Sequence, residues 1–342
     1  MKKFTIAAAA AFAISAGAAS AADLPVKAKP VVAPEPPAWD IAFGSAIASD
    51  YIFRGVTQSK HEPSMAAYFE PRYNFTKDLQ AYIGLGGASI DFPNRAAAEV
   101  DFYGGIRPTF DKLAFDIGVW YYWYPGGQCY SAATGPLANG NTFDCFQPGA
   151  FAGQFGGVPA SAALPNGNAI KSNLSFWEFY AKANYTFNDN FGVGAYVYYS
   201  PSVLNSGADG VFFGGTAKYT FNAFANGVQP YISGEVGHWD LGTTDSFYGL
   251  PGTMFAAGVP LPSYTTWNVG VGWTWKVFTV DLRYIDTDLN KSECNVFTGD
   301  QTATINPANI SPTNPVGLGS NWCGGRFVAR LSADLTVNTN LK

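Results

Sequence analysis

His61 and His238 are the only imidazoles in the chain. Neither adjoins a serine in a nucleophile motif, so a Ser–His–Asp relay has no support in the sequence. A lipid-hydrolysing barrel would need a His–Ser pair on the lipid face of one strand, and no such pair is evident. Asp286, Asp288 and Asn290 mimic the opening of a calcium loop, but Lys291 stands where that loop needs glycine and Phe297 where it needs the terminal glutamate. No enzymatic activity, metal or cofactor is therefore expected.

The residues with the strongest pattern are charged ones at alternate positions. Asp50, Glu70, Glu99, Asp101, Asp116, Glu178, Glu235, Asp281 and Asp334, together with Arg54, Arg72, Arg107, Lys182, Lys218, Lys276, Arg283, Arg326 and Arg330, share one face of the segments that carry them. Charges this numerous on an inward face need water or partners. They fit a hydrated pore with a transverse field, or a salt-bridged plug filling a narrow barrel; a narrow pore is the favoured expectation. Gly84, Gly86, Gly192, Gly194, Gly270 and Gly272 fall on the same face, where they either free volume inside or permit strand curvature.

The elements that position these residues have a period of two. Phe327, Ala329, Leu331, Ala333, Leu335 and Val337 alternate with Arg326, Arg330, Ser332, Asp334 and Thr336. Such alternation gives a strand one apolar and one polar face. The template predicts about twelve strands, near 39–54, 64–75, 79–91, 97–110, 113–124, 174–187, 191–200, 210–221, 228–240, 263–275, 277–288 and 325–337. Their lengths suit the roughly 9–11 residues of a tilted membrane strand.

The connections alternate between short and long. Short ones fall at Thr76-Lys77-Asp78, Asp111-Lys112, Asn188-Asp189-Asn190, Asn222 to Gly227, and Lys276. The longest are 125–173 and 289–324. Short turns on one side and long loops on the other are the habit of outer-membrane barrels. Tyr73/Phe75, Tyr185/Phe187, Tyr219/Phe221 and Trp273/Trp275 each precede a short turn. They form an expected aromatic girdle at the periplasmic interface.

Composition agrees. The 342-residue chain is 16% aromatic and only 13% charged, against about 25% charged in ordinary soluble domains. A net charge of −5 argues against a nucleic-acid partner. Lys2 and Lys3, the apolar run Phe4 to Ala19, and Ala19-Ser20-Ala21 read as an export signal over 1–21. A proline-rich tether is expected over 22–38, and the barrel over 39–342, in the outer membrane of a Gram-negative bacterium.

Asp50-Tyr51-Ile52-Phe53-Arg54-Gly55-Val56-Thr57-Gln58-Ser59, with Pro63 after it, resembles the opening hairpin of the TorF-type porin family of proteobacteria. Glu99 to Gly105, Tyr124-Pro125 and Asp281 to Asp288 are similar to later segments of that family, so the resemblance covers most of 39–337. It implies an outer-membrane pore and names no solute. One departure is the ending Asn338 to Lys342, where barrels of this kind usually finish on an aromatic residue.

The expected function is passive diffusion of small hydrophilic solutes, with membrane lipid and lipopolysaccharide as surroundings. The alternative is a non-conducting barrel whose external loops bind a partner. In an exported chain disulfides persist. Cys129 is expected to pair with Cys145 and Cys294 with Cys323, each within one long loop. The loop 125–173, with Phe143, Phe146, Phe151 and Phe155, is expected either to fold into the barrel mouth and control access to the pore, or to pack those rings on neighbouring loops or present them to a partner.

Overall fold

The computed structural model describes residues 36–127, 130–131, 169–250 and 252–341. Twelve strands form a closed barrel: β1 (Trp39–Ala48), β2 (Ser64–Thr76), β3 (Leu79–Ala88), β4 (Glu99–Phe110), β5 (Leu113–Trp123), β6 (Phe176–Thr186), β7 (Phe191–Ser200), β8 (Gly210–Thr220), β9 (Gln229–Leu241), β10 (Tyr264–Trp275), β11 (Phe278–Thr287) and β12 (Arg326–Thr336). Each pairs antiparallel with the next, and β12 returns to β1, with Ala42 opposite Thr336 and Ala48 opposite Arg330. Closure matters because an open sheet edge in hydrocarbon would leave backbone N–H and C=O groups with no water to bond.

The alternation read from the sequence sorts the two faces. Ile83, Met65, Phe179, Val236, Val269 and Leu331 point outward and are exposed. On a soluble protein so continuous an apolar belt would be an aggregation surface; around a membrane barrel it is the lipid contact. The expected aromatic pairs also lie next to the short turns, all of their members exposed on this outer face except the half-buried Tyr73. Within each of three pairs the rings meet edge to face: Tyr73 and Phe75 at 4.9 Å, Tyr185 and Phe187 at 4.8 Å, Tyr219 and Phe221 at 4.9 Å.

Two departures from the expected elements have clear causes. The first strand stops at Ala48 rather than running to 54, because the chain then turns into the barrel. The pseudo-calcium segment is a helix start. Asn290 accepts the backbone N–H groups of Ser292 and Glu293, and the Glu293 side chain reciprocates, capping α1 (Lys291–Thr298). Gly299 ends α1 in the left-handed region. A single-turn helix, α2 (Val337–Asn340), follows β12.

Candidate functional site

The first external loop, L1 (49–63), folds into the lumen. Ile52–Phe53 pairs with Val56–Thr57 around a two-residue turn. Both turn residues, Arg54 and Gly55, have positive φ, at 48° and 82°, as the tight hairpin turn that matches strand twist requires. Gly55 has a second reason to be glycine. A Cβ there would lie 2.1 Å from Thr287 Cγ2 and 2.6 Å from Thr266 Oγ1, so the hairpin tip rests against β10 and β11.

From that tip Arg54 reaches across the barrel. Its Nη1 and Nη2 donate to the two carboxylate oxygens of Glu178 on β6, both at 2.8 Å. Its guanidinium carbon lies 4.2 Å from the Trp239 ring centroid, 4.3 Å from Phe212 and 5.0 Å from Tyr198, with Phe53 at 4.6 Å. The Tyr122 hydroxyl also donates to Glu178, at 3.1 Å, and the Tyr264 hydroxyl donates to the Arg54 carbonyl oxygen at 2.9 Å. The Arg54 and Glu178 side chains are 5% and 1% exposed. A buried pair persists only with its remaining hydrogen-bonding capacity satisfied, and here a fork-to-fork geometry and a ring cage do that.

L1 is held at its base as well. The Asp50 carboxylate accepts from Thr57 and Ser59 hydroxyls at 2.6 and 3.1 Å, and Tyr51 donates to Glu99 at 2.6 Å. His61 bridges outward: Nδ1 is 2.7 Å from Asp50 Oδ2, and Nε2 is 2.9 Å from the carbonyl oxygen of Asn321 in the last external loop, L6 (288–325). The hydrogen bond to Asp50 raises the His61 pKa above its ordinary value, against the opposing effects of burial and of Arg326.

The inward charges divide into two walls. On β2 to β6 they are buried. Arg107 grips Glu70 with two nitrogens, at 2.7 and 3.2 Å, and reaches Asp116 at 3.3 Å. Arg72 meets Glu70 at 2.6 Å. Glu99 accepts from Tyr124 at 2.8 Å and Asp101 from Trp120 at 3.0 Å. Lys182 lies over the Tyr180 ring at 4.6 Å. On β8 to β12 the charges are partly exposed: Lys218, Glu235, Asp281, Arg283, Arg330 and Asp334. Arg283 bonds Asp281, Asn268 and Ser233. Glu235 accepts from Tyr196 and Asn268. Tyr68 donates to Asp334 at 3.2 Å, and Arg330 stands opposite Asp281 in the β11–β12 register.

Arg326 shares the inward parity but is exposed at the loop end. Two sequence placements need correction. Arg54 is inward, yet on a hairpin tip and not on a strand. Lys276 is not inside: it sits exposed in the β10–β11 turn at φ 53°, over the Trp275 ring at 4.7 Å. His238 points outward, with Nδ1 3.0 Å from the Thr265 hydroxyl and Phe213 beside it.

The inward glycines have a use that period-two reading did not reveal. A Cβ at Gly84 would lie 2.1 Å from the Tyr103 ring, and one at Gly272 would lie 2.3 Å from the Tyr231 ring. Neighbouring tyrosines thus lie flat where side chains are missing, the pairing that offsets the poor strand propensity of glycine. Gly86 and Gly192 have no such ring against them, and a Cβ at Gly270 would touch the Arg283 guanidinium. Those volumes are partly spent on rings and are not all open lumen.

Above the hairpin lies an apolar cavity of about 170 Å³, to which Val56, Phe92, Leu174, Leu204, Leu261 and Phe297 contribute from the six external connections. Phe297 of α1 packs edge-on to Trp239 at 5.5 Å, joining L6 to the cage. A disulfide joins Cys294 to Cys323, with Cα atoms 5.8 Å apart. Cys129 and Cys145, and residues 132–168 of the long loop, lie outside the described residues.

An aromatic-girdled belt around a closed barrel, with charged groups turned inward, defines a porin-like membrane β-barrel. A family model described as a bacterial protein of unknown function (Gcw_chp) matches residues 34–147. No curated protein matches. Among solved structures the chain is similar to the NanC porin, at 7% identity over 86% of this chain and 98% of that one, with TM-score 0.38. It is also similar to an outer-membrane channel from Pseudomonas putida F1, at 10% identity over 88% and 96%, TM-score 0.39. A third similar structure is LpxR from Salmonella typhimurium, at 10% identity over 86% and 99%, TM-score 0.37.

Proposed function

We propose that this chain is a narrow outer-membrane channel of the TorF type, passing small hydrophilic solutes by diffusion, and that L1 throttles it. The observation that carries this reading is the contrast between the two walls. Along β8 to β12 the inward charged groups, from Lys218 and Glu235 to Arg283 and Asp334, stay partly exposed together with Thr216 and Asn268, as groups beside water do, while Thr266, Thr279 and Ser332 are buried among them. On the opposite wall the charged groups are buried, against one another or against tyrosine and tryptophan. The short-turn half of the lumen is thus a polar vestibule, and it ends at Arg54, Trp239, Phe212 and Tyr264, which are all buried. Short turns face the periplasm in barrels of this kind, so the vestibule opens there. Export by a leader ending near Ala21 completes the proposal.

The test is single-channel conductance in planar bilayers, with liposome swelling for sugars, amino acids and anions. The wild-type barrel is expected to conduct weakly. Arg54→Ala, and separately deletion of 51–58, are expected to raise conductance severalfold. A correctly folded barrel that stays silent in both variants overturns the channel. That outcome would favour the second reading, a non-conducting barrel whose external loops hold a partner. Its support is the apolar cavity to which the six external connections contribute.

A further inference from the structure

We infer that the cage around Arg54 is a binding site for small organic monocations with a flat, forked donor group, and that Arg54 occupies it as the chain's own ligand. The cage belongs to the barrel wall. Glu178, Tyr198, Phe212 and Trp239 come from four consecutive strands, β6 to β9, and only Phe53 travels with the hairpin. Withdrawal of L1 would therefore leave a carboxylate with two oxygens set for a fork of N–H donors, 2.8 Å from each nitrogen at present. Three ring faces would remain 4.2 to 5.0 Å from the charge centre.

Mere closure does not call for this chemistry. A buried ion pair is often no more stabilising than apolar side chains of the same volume, and β6 to β9 already supply aromatic groups for such a plug. The charge therefore points to recognition. Planar N–H forks match a carboxylate two bonds at a time, whereas a compact ammonium does not. Lys182, whose ammonium also lies 5.4 Å from the Tyr198 ring, limits the site to a single positive charge. The polar vestibule leads to this cage, with Glu235 and Tyr196 on the way.

The inference names a solute class for the proposed channel, but the site can be tested by binding alone. Arg54→Met keeps much of the side-chain stem and removes the charge; Arg54→Asn suits the left-handed turn conformation and serves if the first variant fails to fold. Barrels folded in detergent are titrated calorimetrically with methylguanidinium, tetramethylammonium and urea. Both variants are expected to bind methylguanidinium at least about tenfold more tightly than wild type, where the tethered Arg54 competes at high effective concentration. Adding Glu178→Gln is expected to remove most of that gain. Urea, with a fork and no charge, and tetramethylammonium, with charge and no fork, are expected to bind far more weakly. Folded Arg54→Met and Arg54→Asn barrels that bind methylguanidinium no better than wild type overturn the inference, as does equal binding of the three probes. Binding without conductance would leave the site standing and remove the channel. Conductance without binding would do the reverse.

Discussion

His61 faces acceptors at both ring nitrogens, the Asp50 carboxylate and the Asn321 carbonyl. Only the imidazolium can donate to both at once. Its pKa is raised, chiefly by the bond to Asp50. The clip between L1 and L6 is therefore fully present below about 6.5, the ordinary histidine value, and is lost as pH rises through the higher folded-state pKa. Protease nicking of L1 and L6 is expected to increase across that rise in wild type and to be pH-independent in His61→Gln. An equal rise in both would remove His61 as the cause. At this scale the fold was less legible than it could have been. Asp50, Ile52 and Arg54 continue the alternation of the first strand, and a period of two cannot separate a strand from a hairpin turned inward. The available sign was Arg54-Gly55 between Phe53 and Val56, a turn in the middle of an apolar run. No local sign identified Glu178 as its partner, because the two are 124 positions apart.

Strands were far more legible, since each has one face in lipid and one in a polar interior, and a slip of one residue would exchange them. That sorting is testable on β12. Leu331 is outward and exposed, whereas Arg330 is inward. Leu331→Arg is expected to block assembly, at about 2–4 kcal/mol near the bilayer midplane, and Arg330→Leu is expected to insert. Equal assembly of the two variants would contradict the phasing of β12. The glycine–tyrosine pairs give a second test. Gly84→Leu is expected to displace the Tyr103 ring and reduce the folded fraction, and Tyr103→Ala in the same chain to restore part of it. If the second change restores nothing, the ring is not what the glycine accommodates. Sequence phasing placed these glycines inside but gave no sign of the rings, because which tyrosine lies beside which glycine depends on cross-strand register.

Across the whole molecule, L6 closes the external end by packing α1 on the cage and by fixing Cys294, which is fully buried, to Cys323. The bridge spans 29 positions, and the chain-entropy model gives about 3–4 kcal/mol for a loop of that order. Replacing both cysteines by serine is expected to lower the urea midpoint of the folded barrel and to increase conductance. An unchanged midpoint and conductance would show that L6 is held by packing alone. The barrel and its strand number were readable because turns and alternation are local. A plug was an open reading, but the hairpin that forms it was not legible, because it assembles one loop with residues from strands far along the chain.

The meeting of β1 and β12 has a consequence for how the chain can be cut. Asn338 donates its backbone N–H to Asp40 at 3.0 Å and its side-chain amide to the Trp39 carbonyl at 2.8 Å, so the start of the first strand and the residues just past the last stand side by side. In a ring of hairpins no strand is geometrically first. Joining residue 341 to residue 38 with a short linker and opening the chain at Asn188-Asp189-Asn190 should yield a circular permutant with the same register, since neighbouring ends tolerate such rewiring. Order of synthesis would be reversed for the plug: Glu178 and its strand would emerge last, and the hairpin carrying Arg54 would follow its aromatic cage out of the ribosome rather than precede it.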